Sequence, residues 1–292
     1  MLKHYLPLKK EEIDEIWKNG FIVFDTNILL HLYRYDENLR AKLLRILQDP
    51  NINEKIWIPF RVYEEFLRNR PKVICEQWDI EQKIKSTIDK GLTDLKDNIE
   101  KKFSHRFHPY INSEQISTLL DSTNTKIQKE INREKSKRYN IEIHNDSLLE
   151  KILSVFDQKI GSEIDSDTIK KIYDEGKERF QNKIPPGYED EKTKEPPECY
   201  SDLVIWKSII EKAKDSNNII FIIDDKKEDW WQIEKGKTIG PHPMLLKEFY
   251  KETNKKILFY NSSSFYSYVD SYIAEQKATL TPEENTQIKK TS

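Results

Sequence analysis

Acidic side chains follow two short apolar stretches of the chain. Asp25 comes directly after residues 21–24, and Asp224 and Asp225 come directly after residues 219–223. Apolar runs of this length, rich in strand-forming residues, are typical of strands buried on both faces of a parallel sheet. Open α/β sheets bind their ligands beyond the carboxyl ends of the strands. We therefore expect these acids to lie together at one edge of a sheet.

Two further acids are expected at the same edge. Asp202 stands at the start of the helix that leads into the second apolar run. Glu65 stands in a helix that follows a short strand at residues 56–58. Four elements that are well separated in sequence would thus each contribute an acid to one place. The predicted carboxylate cluster consists of Asp25, Glu65, Asp202 and Asp225.

The chemistry of such a cluster follows from the repulsion between its members. Converging carboxylates that are buried without a cation have raised pKa values. Mg²⁺ and Mn²⁺ prefer carboxylate oxygens and keep waters that can meet substrate phosphates. One such ion can activate a water molecule, and a pair can also stabilise the leaving oxygen of a phosphodiester. Since no histidine adjoins these acids in sequence, the pattern favours an activated water over a serine or histidine relay.

Each acid taken alone has a simpler explanation. An Asp that follows a strand is more often a helix cap or a turn residue, and Asp36 and Asp202 both stand where an N-cap is expected. An acid nevertheless stands on every element that reaches the expected sheet edge. The joint pattern therefore favours the cluster.

Strands and helices alternate in the parts of the chain that carry the acids. Apolar periodicity predicts helices at residues 9–19, 36–47, 61–69, 201–213, 243–251 and 264–275, and strands at 21–24, 56–58, 219–223 and 257–260. Residues 25–27 have the composition of a turn. Pro71 is expected to limit the third helix, because the residue before a proline is biased away from helical backbone. This order predicts an α/β core with a parallel sheet and helices on both sides.

A long charged stretch interrupts this alternation. Residues 73–184 are mostly helical in pattern and have almost no strand signals. We expect a helical insertion there, between the two halves of the core at residues 1–72 and 185–276. The polar residues 277–292 are predicted to form a disordered tail.

The insertion has two candidate roles. Its lysine-rich residues 126–138 suit either a nucleic-acid clamp or, more commonly, a solvated helix face. The insertion is also where contact with a protein partner or self-association would be encoded.

Composition limits the class of protein. The chain has 292 residues, of which 36% are hydrophobic and 34% are charged, so it is polar but can form a core. The net charge of −2 excludes a uniformly basic surface, so any patch that binds polyanions must be local. Neither GxGxxG nor GxxxxGK occurs. Two distant cysteines and the lack of a membrane-length apolar run predict a soluble cytoplasmic protein without membrane partners.

Five short motifs resemble one nuclease family. Residues 21–30, Phe-Ile-Val-Phe-Asp-Thr-Asn-Ile-Leu-Leu, resemble the opening of PIN-domain nucleases, in which a strand ends in Asp-Thr-Asn. Residues 59–70 resemble the second acidic motif of the PIN-like branch that carries a large helical insertion. Residues 185–188, 201–206 and 224–231 are similar to further motifs of that branch. The motifs occur in order over most of residues 20–265, which makes them strong together and weak singly.

The resemblance implies a PIN-like three-layer α/β/α core, Mg²⁺ or Mn²⁺, and hydrolysis of phosphodiester bonds, usually in RNA. It implies that the four clustered acids hold the metal directly or through water, and that Asp224 or Asp229 adds a contact. Glu65 is preferred to Glu64 because it directly precedes Phe66. The branch usually has Gly before its third acid, where this chain has Ser201. Serine is small, so we expect this difference to disturb the site little.

Several polar residues beside the motifs are candidate substrate contacts. Thr26 and Asn27 would shape the first turn around the metal. The basic residues either hold the scissile and flanking phosphates or pair with the acids and keep them apart in the metal-free state. Trp230 and Trp231 either stack on bases or pack against the core. The four basic residues are Arg68, Arg70, Lys226 and Lys227.

The sequence leaves the substrate and the pathway open. An endoribonuclease is the first expectation, and a DNA nuclease with the same site is the second, since recognition of the 2′-hydroxyl leaves no short motif. A non-catalytic binding module is a third, which retention of all four acids disfavours. An aspartyl phosphatase would need a second Asp two residues after Asp25, where Asn27 stands.

Overall fold

The computed structural model describes residues 8–103, 112–136, 141, 143–214 and 217–279. The chain divides into two compact units, which we call the sheet unit (residues 1–69 and 149–292) and the helical unit (residues 70–148). The domain boundaries expected from the sequence stay predictions. Residues 149–184, which fall within the expected insertion, belong to the sheet unit.

A parallel sheet of four strands forms the centre of the sheet unit. The strands of the described residues are β1 (Phe21–Phe24), β2 (Ile56–Trp57), β3 (Ile219–Ile222), β4 (Trp231–Glu234), β5 (Lys237–Pro241) and β6 (Ile257–Tyr260). The sheet order is β2-β1-β3-β6, and each neighbouring pair is parallel. All four residues of β3 are buried, as expected for a central strand covered on both faces. The carboxyl ends of β1 and β3 therefore lie side by side.

Helices flank this sheet, which confirms the predicted α/β fold class. The helices are α1 (Lys10–Asn19), α2 (Thr26–Arg34), α3 (Glu37–Gln48), α4 (Pro50–Asn53), α5 (Phe60–Phe103), α6 (Ser113–Ser136), α7 (Ser147–Phe156), α8 (Ser166–Gln181), α9 (Ser201–Lys214), α10 (Pro243–Thr253) and α11 (Ser262–Thr279). Asp36 caps α3 as predicted, since its carboxylate accepts the Leu39 N–H at 3.0 Å. No described helix is both long enough and apolar enough to cross a membrane.

The turn predicted at residues 25–27 is wrong, because a helix begins there. Asp25 is the N-cap of α2, and its carboxylate accepts the Asn27 N–H at 3.3 Å. Turns and helix starts use the same polar residues for the same hydrogen bonds, so composition alone does not separate them. Residues 28–30 are buried in the core of the sheet unit, and this burial stabilises a helix rather than a turn.

The helix predicted at residues 61–69 does not end near Pro71. Helix α5 passes through Pro71 and continues to Phe103. A proline inside a helix loses one backbone hydrogen bond and costs about 3 kcal/mol. Val73 and Ile74, in the next turn, are both buried, and this apolar burial offsets the cost.

Strands β4 and β5 form an antiparallel hairpin that the sequence analysis missed. Lys235 and Gly236 connect them with φ values of 51° and 75°. Positive φ at both central residues matches a type I′ turn, the turn that suits the twist of a hairpin. The usual signal is Asn-Gly or Asp-Gly, and Lys-Gly stands here instead.

The helical unit contains most of α5 and all of α6. Lys96 contacts Asp121 at 2.7 Å, and Lys85 contacts Asn132 at 2.9 Å. Residue numbers rise along α5 while they fall along α6, so the helices are antiparallel. In the lysine-rich stretch, Arg133 pairs with Glu130 on the exposed surface.

The lysine-rich stretch and the expected tail fall partly outside the described residues. Residues 137–138 of the lysine-rich stretch lie outside, and the role of this stretch as a clamp or a solvated face stays open. Residues 280–292 of the expected tail are also outside, whereas residues 277–279 belong to α11.

Candidate active site

A pocket of about 460 Å³ opens at the carboxyl ends of β1 and β3. All four acids of the predicted cluster line it. They come from four elements: the N-cap of α2, the first turns of α5, the first turn of α9 and the loop after β3. The charged lining residues are the acids Asp25, Glu65, Glu195, Glu198, Asp202 and Asp225 and the bases Arg68, Lys194 and Lys227.

Asp25 lies at the base of this pocket and is only 8% exposed. Burial raises its pKa to about 6, and the nearby carboxylates of Glu65 and, more weakly, Asp225 act in the same direction. The backbone N–H groups of Thr26 and Asn27 oppose this rise without cancelling it. Asp25 is thus both a helix cap and a carboxylate whose charge is poorly compensated.

Glu65 is held on both carboxylate oxygens. Its Oε2 accepts the Thr26 hydroxyl at 2.9 Å, and its Oε1 accepts the Ser201 hydroxyl. The Arg61 Nε lies 3.4 Å from the same Oε1. Ser201 therefore makes a contact that the Gly usual in this branch could not make. Glu64 is exposed and pairs with Arg61 at 2.8 Å, so the structure places Glu65 and not Glu64 in the pocket.

Asp202 lies in the first turn of α9 and is not its N-cap. Its Oδ2 accepts the indole N–H of Trp230 at 3.1 Å. Burial raises the pKa of Asp202, the charge of Asp190 raises it further, and Lys227 acts in the opposite direction. Trp230 is itself buried and packs edge-on against Trp206 with ring centroids 6.1 Å apart. Trp230 therefore supports Asp202 from the core.

Asp225 and Lys227 form one compact arrangement after β3. The Asp225 Oδ1 accepts the backbone N–H of Lys227 at 2.9 Å, and its Oδ2 lies 2.8 Å from the Lys227 ammonium. The ammonium also contacts Asp190 and lies 4.0 Å from Asp202 Oδ2. Burial opposes the charge of Lys227, but the surrounding carboxylates outweigh it and raise its pKa. The indole N–H of Trp231 donates to the Asp225 carbonyl.

Asp190 is a charged residue of this region that the sequence analysis missed. It is 2% exposed, and its two oxygens pair with Lys194 and Lys227. It belongs to the loop that begins with Pro185-Pro186-Gly187, of which the sequence analysis considered only the motif at residues 185–188. Its position two residues after that motif and four residues before a lysine was the available signal.

Asp229 holds this loop in place and does not line the pocket. Its carboxylate is fully buried and accepts the backbone N–H groups of Gly187 at 3.0 Å and Glu189 at 3.1 Å. Gly187 has a φ of +93°, and a Cβ there would lie 3.2 Å from both Asp202 Cβ and a ring carbon of Phe180. Glycine is needed at this position for its backbone freedom and for its size.

Asp224, a predicted metal contact, does not line the pocket. Its carboxylate accepts the backbone N–H of Ser262 at 2.8 Å and the Ser262 hydroxyl, and lies 3.1 Å from His31 Nδ1. Burial alone would raise its pKa, but the hydrogen bonds from His31 and Ser262 outweigh burial and lower it to about 2. These contacts hold Asp224 outside the pocket, whereas the adjacent Asp225 lines it.

Only some of the predicted substrate contacts line the pocket. Thr26, Asn27, Arg68 and Lys227 line the pocket. Arg70 instead binds Asp146 and the Ile143 carbonyl within the helical unit, because residues two apart on a helix face different directions. Lys226 is exposed and is not part of the lining. Arg68 lies 3.6 Å from Glu198.

Comparison with known families fits this arrangement. A family model described as "PIN like domain" matches residues 21–245, which is more than half of the chain. The chain belongs to the PIN-like domain family. PIN-like domains are generally nucleases, and PIN domains typically use divalent metals. Searches of curated proteins and of solved structures found no match.

The pocket of this PIN-like domain suits a divalent cation by donor type and by charge. Its acids supply oxygen ligands, which Mg²⁺ and Mn²⁺ prefer. Burial, and after it the charge of neighbouring carboxylates, raises the pKa values of Asp25 and Asp202, and a bound cation would favour the ionised form of both. Within the described residues, no group of three or more Asp, Glu, His or Cys side chains is arranged to hold a metal ion. The Lys227 ammonium lies close to two of the four clustered acids, Asp202 and Asp225.

Proposed function

We propose that this PIN-like domain is a metal-dependent endoribonuclease. It hydrolyses phosphodiester bonds with Mg²⁺ or Mn²⁺ held directly or through water by Asp25, Glu65, Asp202 and Asp225. One observation carries the proposal: acids from four separate elements line a single pocket at the carboxyl ends of neighbouring parallel strands. A bound cation would supply charge neutralisation and activation of a water molecule.

The acids would contribute differently to this site. Asp25 and Asp202 are the acids whose charge is least compensated, since burial raises the pKa of both. They would gain most from a cation. Glu65 is oriented by the hydroxyls of Thr26 and Ser201, so it offers carboxylate oxygens in a fixed position. Thr26 thus acts on Glu65 in this proposal and not on the substrate.

Basic and amide side chains would position the nucleic acid. Arg68 and Lys194 are each about half exposed and line the pocket together with Asn27 and Asn69. Such groups bind phosphates and fix the register of a strand without reading its sequence. They would hold the phosphates on either side of the scissile bond while the acids face the bond itself.

Two alternatives remain. A DNA nuclease would use the same acids, and the choice of RNA rests on the family resemblance. A non-catalytic module, in which the four acids hold no metal, is the second alternative, and the presence of all four acids in one pocket argues against it.

A cytoplasmic location and a partner or second copy bound through the helical unit stay predictions. Trp78, Ile80 and Ile84, which are exposed in that unit, are the residues to substitute first.

The test is cleavage of labelled single-stranded RNA, single-stranded DNA and duplex DNA with Mn²⁺, Mg²⁺ or EDTA. Wild type is compared with Asp25→Asn and with Asp36→Asn, which makes the same chemical change at an exposed helix cap outside the pocket. We expect RNA cleavage that requires metal, survives Asp36→Asn and is lost in Asp25→Asn. Metal-dependent cutting of DNA alone would change the substrate and keep the site. Cleavage by Asp25→Asn at the wild-type rate would contradict the site.

A further inference from the structure

The Lys227 ammonium occupies a central position among the acids of the pocket. It lies 2.8 Å from Asp225 Oδ2 and 4.0 Å from Asp202 Oδ2, and it also contacts Asp190. Two of these three acids are proposed metal ligands. The ammonium therefore stands beside two of the acids that would attract a cation.

Lys194 differs from Lys227 although it has the same charge. Its ammonium pairs with Asp190, and no ion pair joins it to Asp202 or Asp225 in the described part of the chain. Lys227 is thus the lysine that directly neutralises the proposed ligands.

Asp190 gives the ammonium a place to remain when it leaves the ligands. Asp190 is buried, contacts Lys227 already and does not line the pocket. A lysine carries a compact charge on a flexible four-carbon stem, so it can give up one carboxylate while it keeps another. Each oxygen of Asp190 pairs with one lysine, so departure of Lys227 would leave one buried carboxylate oxygen without its counter-charge, which favours retention of this contact.

We propose that Lys227 is an internal counter-ion that competes with the divalent cation for Asp225 and Asp202. Metal binding moves its ammonium away from these two acids while its contact with Asp190 is retained. The inference rests on the proposed function, because it concerns how the same acids take up a metal. Lys227 stabilises the metal-free pocket and lowers its affinity for the cation.

Calorimetric titration of the full chain with Mn²⁺ tests this competition. Lys227→Gln should bind Mn²⁺ at least about tenfold more tightly than wild type, which corresponds to loss of one competing contact. In EDTA the same variant should melt at a lower temperature than wild type. Lys194→Gln is the matched control, because it removes the same charge nearby. Its affinity for Mn²⁺ should change less than about threefold if the direct contact of Lys227 with the acids, and not the overall positive charge near the pocket, lowers the affinity.

The outcomes separate this inference from the proposed function. If wild type binds Mn²⁺ and Lys227→Gln binds it equally or more weakly, the competition is overturned while the metal assignment stands. An equal gain in both lysine variants overturns it too, since the general field would then explain the effect. Absence of Mn²⁺ binding in all three proteins overturns the competition together with the metal assignment. If Lys227→Gln does not fold, Asp190→Asn replaces it, and Glu198→Gln, which removes the charge of another acid beside the pocket, is its control. Mn²⁺ binding by Asp190→Asn at least about threefold weaker than by Glu198→Gln supports the competition, and equal or tighter binding contradicts it.

Discussion

The charge of Asp25 should destabilise the metal-free protein near neutral pH. Asp25 is buried, and its pKa of about 6 lies above the ordinary value of 3.8. Between these values the folded state binds more protons than the unfolded state, so the free energy of unfolding falls as pH rises through this window. Asp25→Asn removes the titrating charge and should therefore stabilise the metal-free protein.

The size of this effect follows from the two pKa values. At about 1.4 kcal/mol for each pH unit between 3.8 and about 6, the ionised carboxylate costs about 3 kcal/mol at pH 7.5. By pH 4.5 most of the folded molecules carry a protonated Asp25, and the cost falls to about 1 kcal/mol. Asn caps helices about as well as Asp does, so the start of α2 is retained.

Unfolding by urea in EDTA at pH 7.5 and pH 4.5 measures this difference. Tryptophan fluorescence is a suitable signal because Trp206 and Trp230 are buried in the sheet unit. Asp36→Asn is the control and should change the free energy of unfolding by less than about 0.5 kcal/mol at both pH values. If the Asp25→Asn protein is less stable than wild type at pH 7.5, the carboxylate stabilises the fold, and the predicted destabilisation by its charge is refuted.

Two further substitutions test the surroundings of the pocket. Asp224→Asn should lower the free energy of unfolding by about 2 kcal/mol at pH 7, because the pKa of Asp224 lies at about 2, below 3.8. This stabilisation is present above pH 3.8 and is lost as pH falls through 2, so urea unfolding at pH 7 and pH 2 should show a loss only at the higher pH. Gly187→Ala should cost about 1–3 kcal/mol, because its φ is +93° and the added Cβ would press on Asp202. A Gly187→Ala protein as stable as wild type in thermal melts would show that this loop adapts.

The sequence was most informative where one physical requirement dominates. β3 was predictable because a strand buried on both faces needs an uninterrupted apolar run. Asp25 and Asp225 follow the apolar runs of β1 and β3, so the predicted parallel sheet was enough to place these two acids together. Glu65 and Asp202 lie on helices that pack beside these strands, and alternation of strands and helices was enough to bring them to the same edge.

The features that the sequence did not predict depend on contacts between residues distant in sequence. Asp224 and Asp225 are adjacent and chemically equal, but Asp224 binds His31 and Ser262 whereas Asp225 binds Lys227. Asp190 was hidden because its partners, Lys194 and Lys227, include one that is 37 residues away. The passage of α5 through Pro71 reflects burial that local preference does not contain.

Cleavage by Asp225→Asn and Asp224→Asn, measured side by side, tests the central claim most directly. The two variants make the same chemical change at adjacent residues, and only Asp225 lines the pocket. With Mn²⁺ and single-stranded RNA at 25 °C, we predict that Asp225→Asn lowers the cleavage rate by at least about a hundredfold, as expected for loss of a metal ligand or its orientation. Asp224→Asn should stay within about threefold of wild type, because 2 kcal/mol, roughly the cost expected of this change, leaves most proteins folded. Equal loss in both variants, or greater loss in Asp224→Asn, would contradict the assignment of this pocket as the nuclease site.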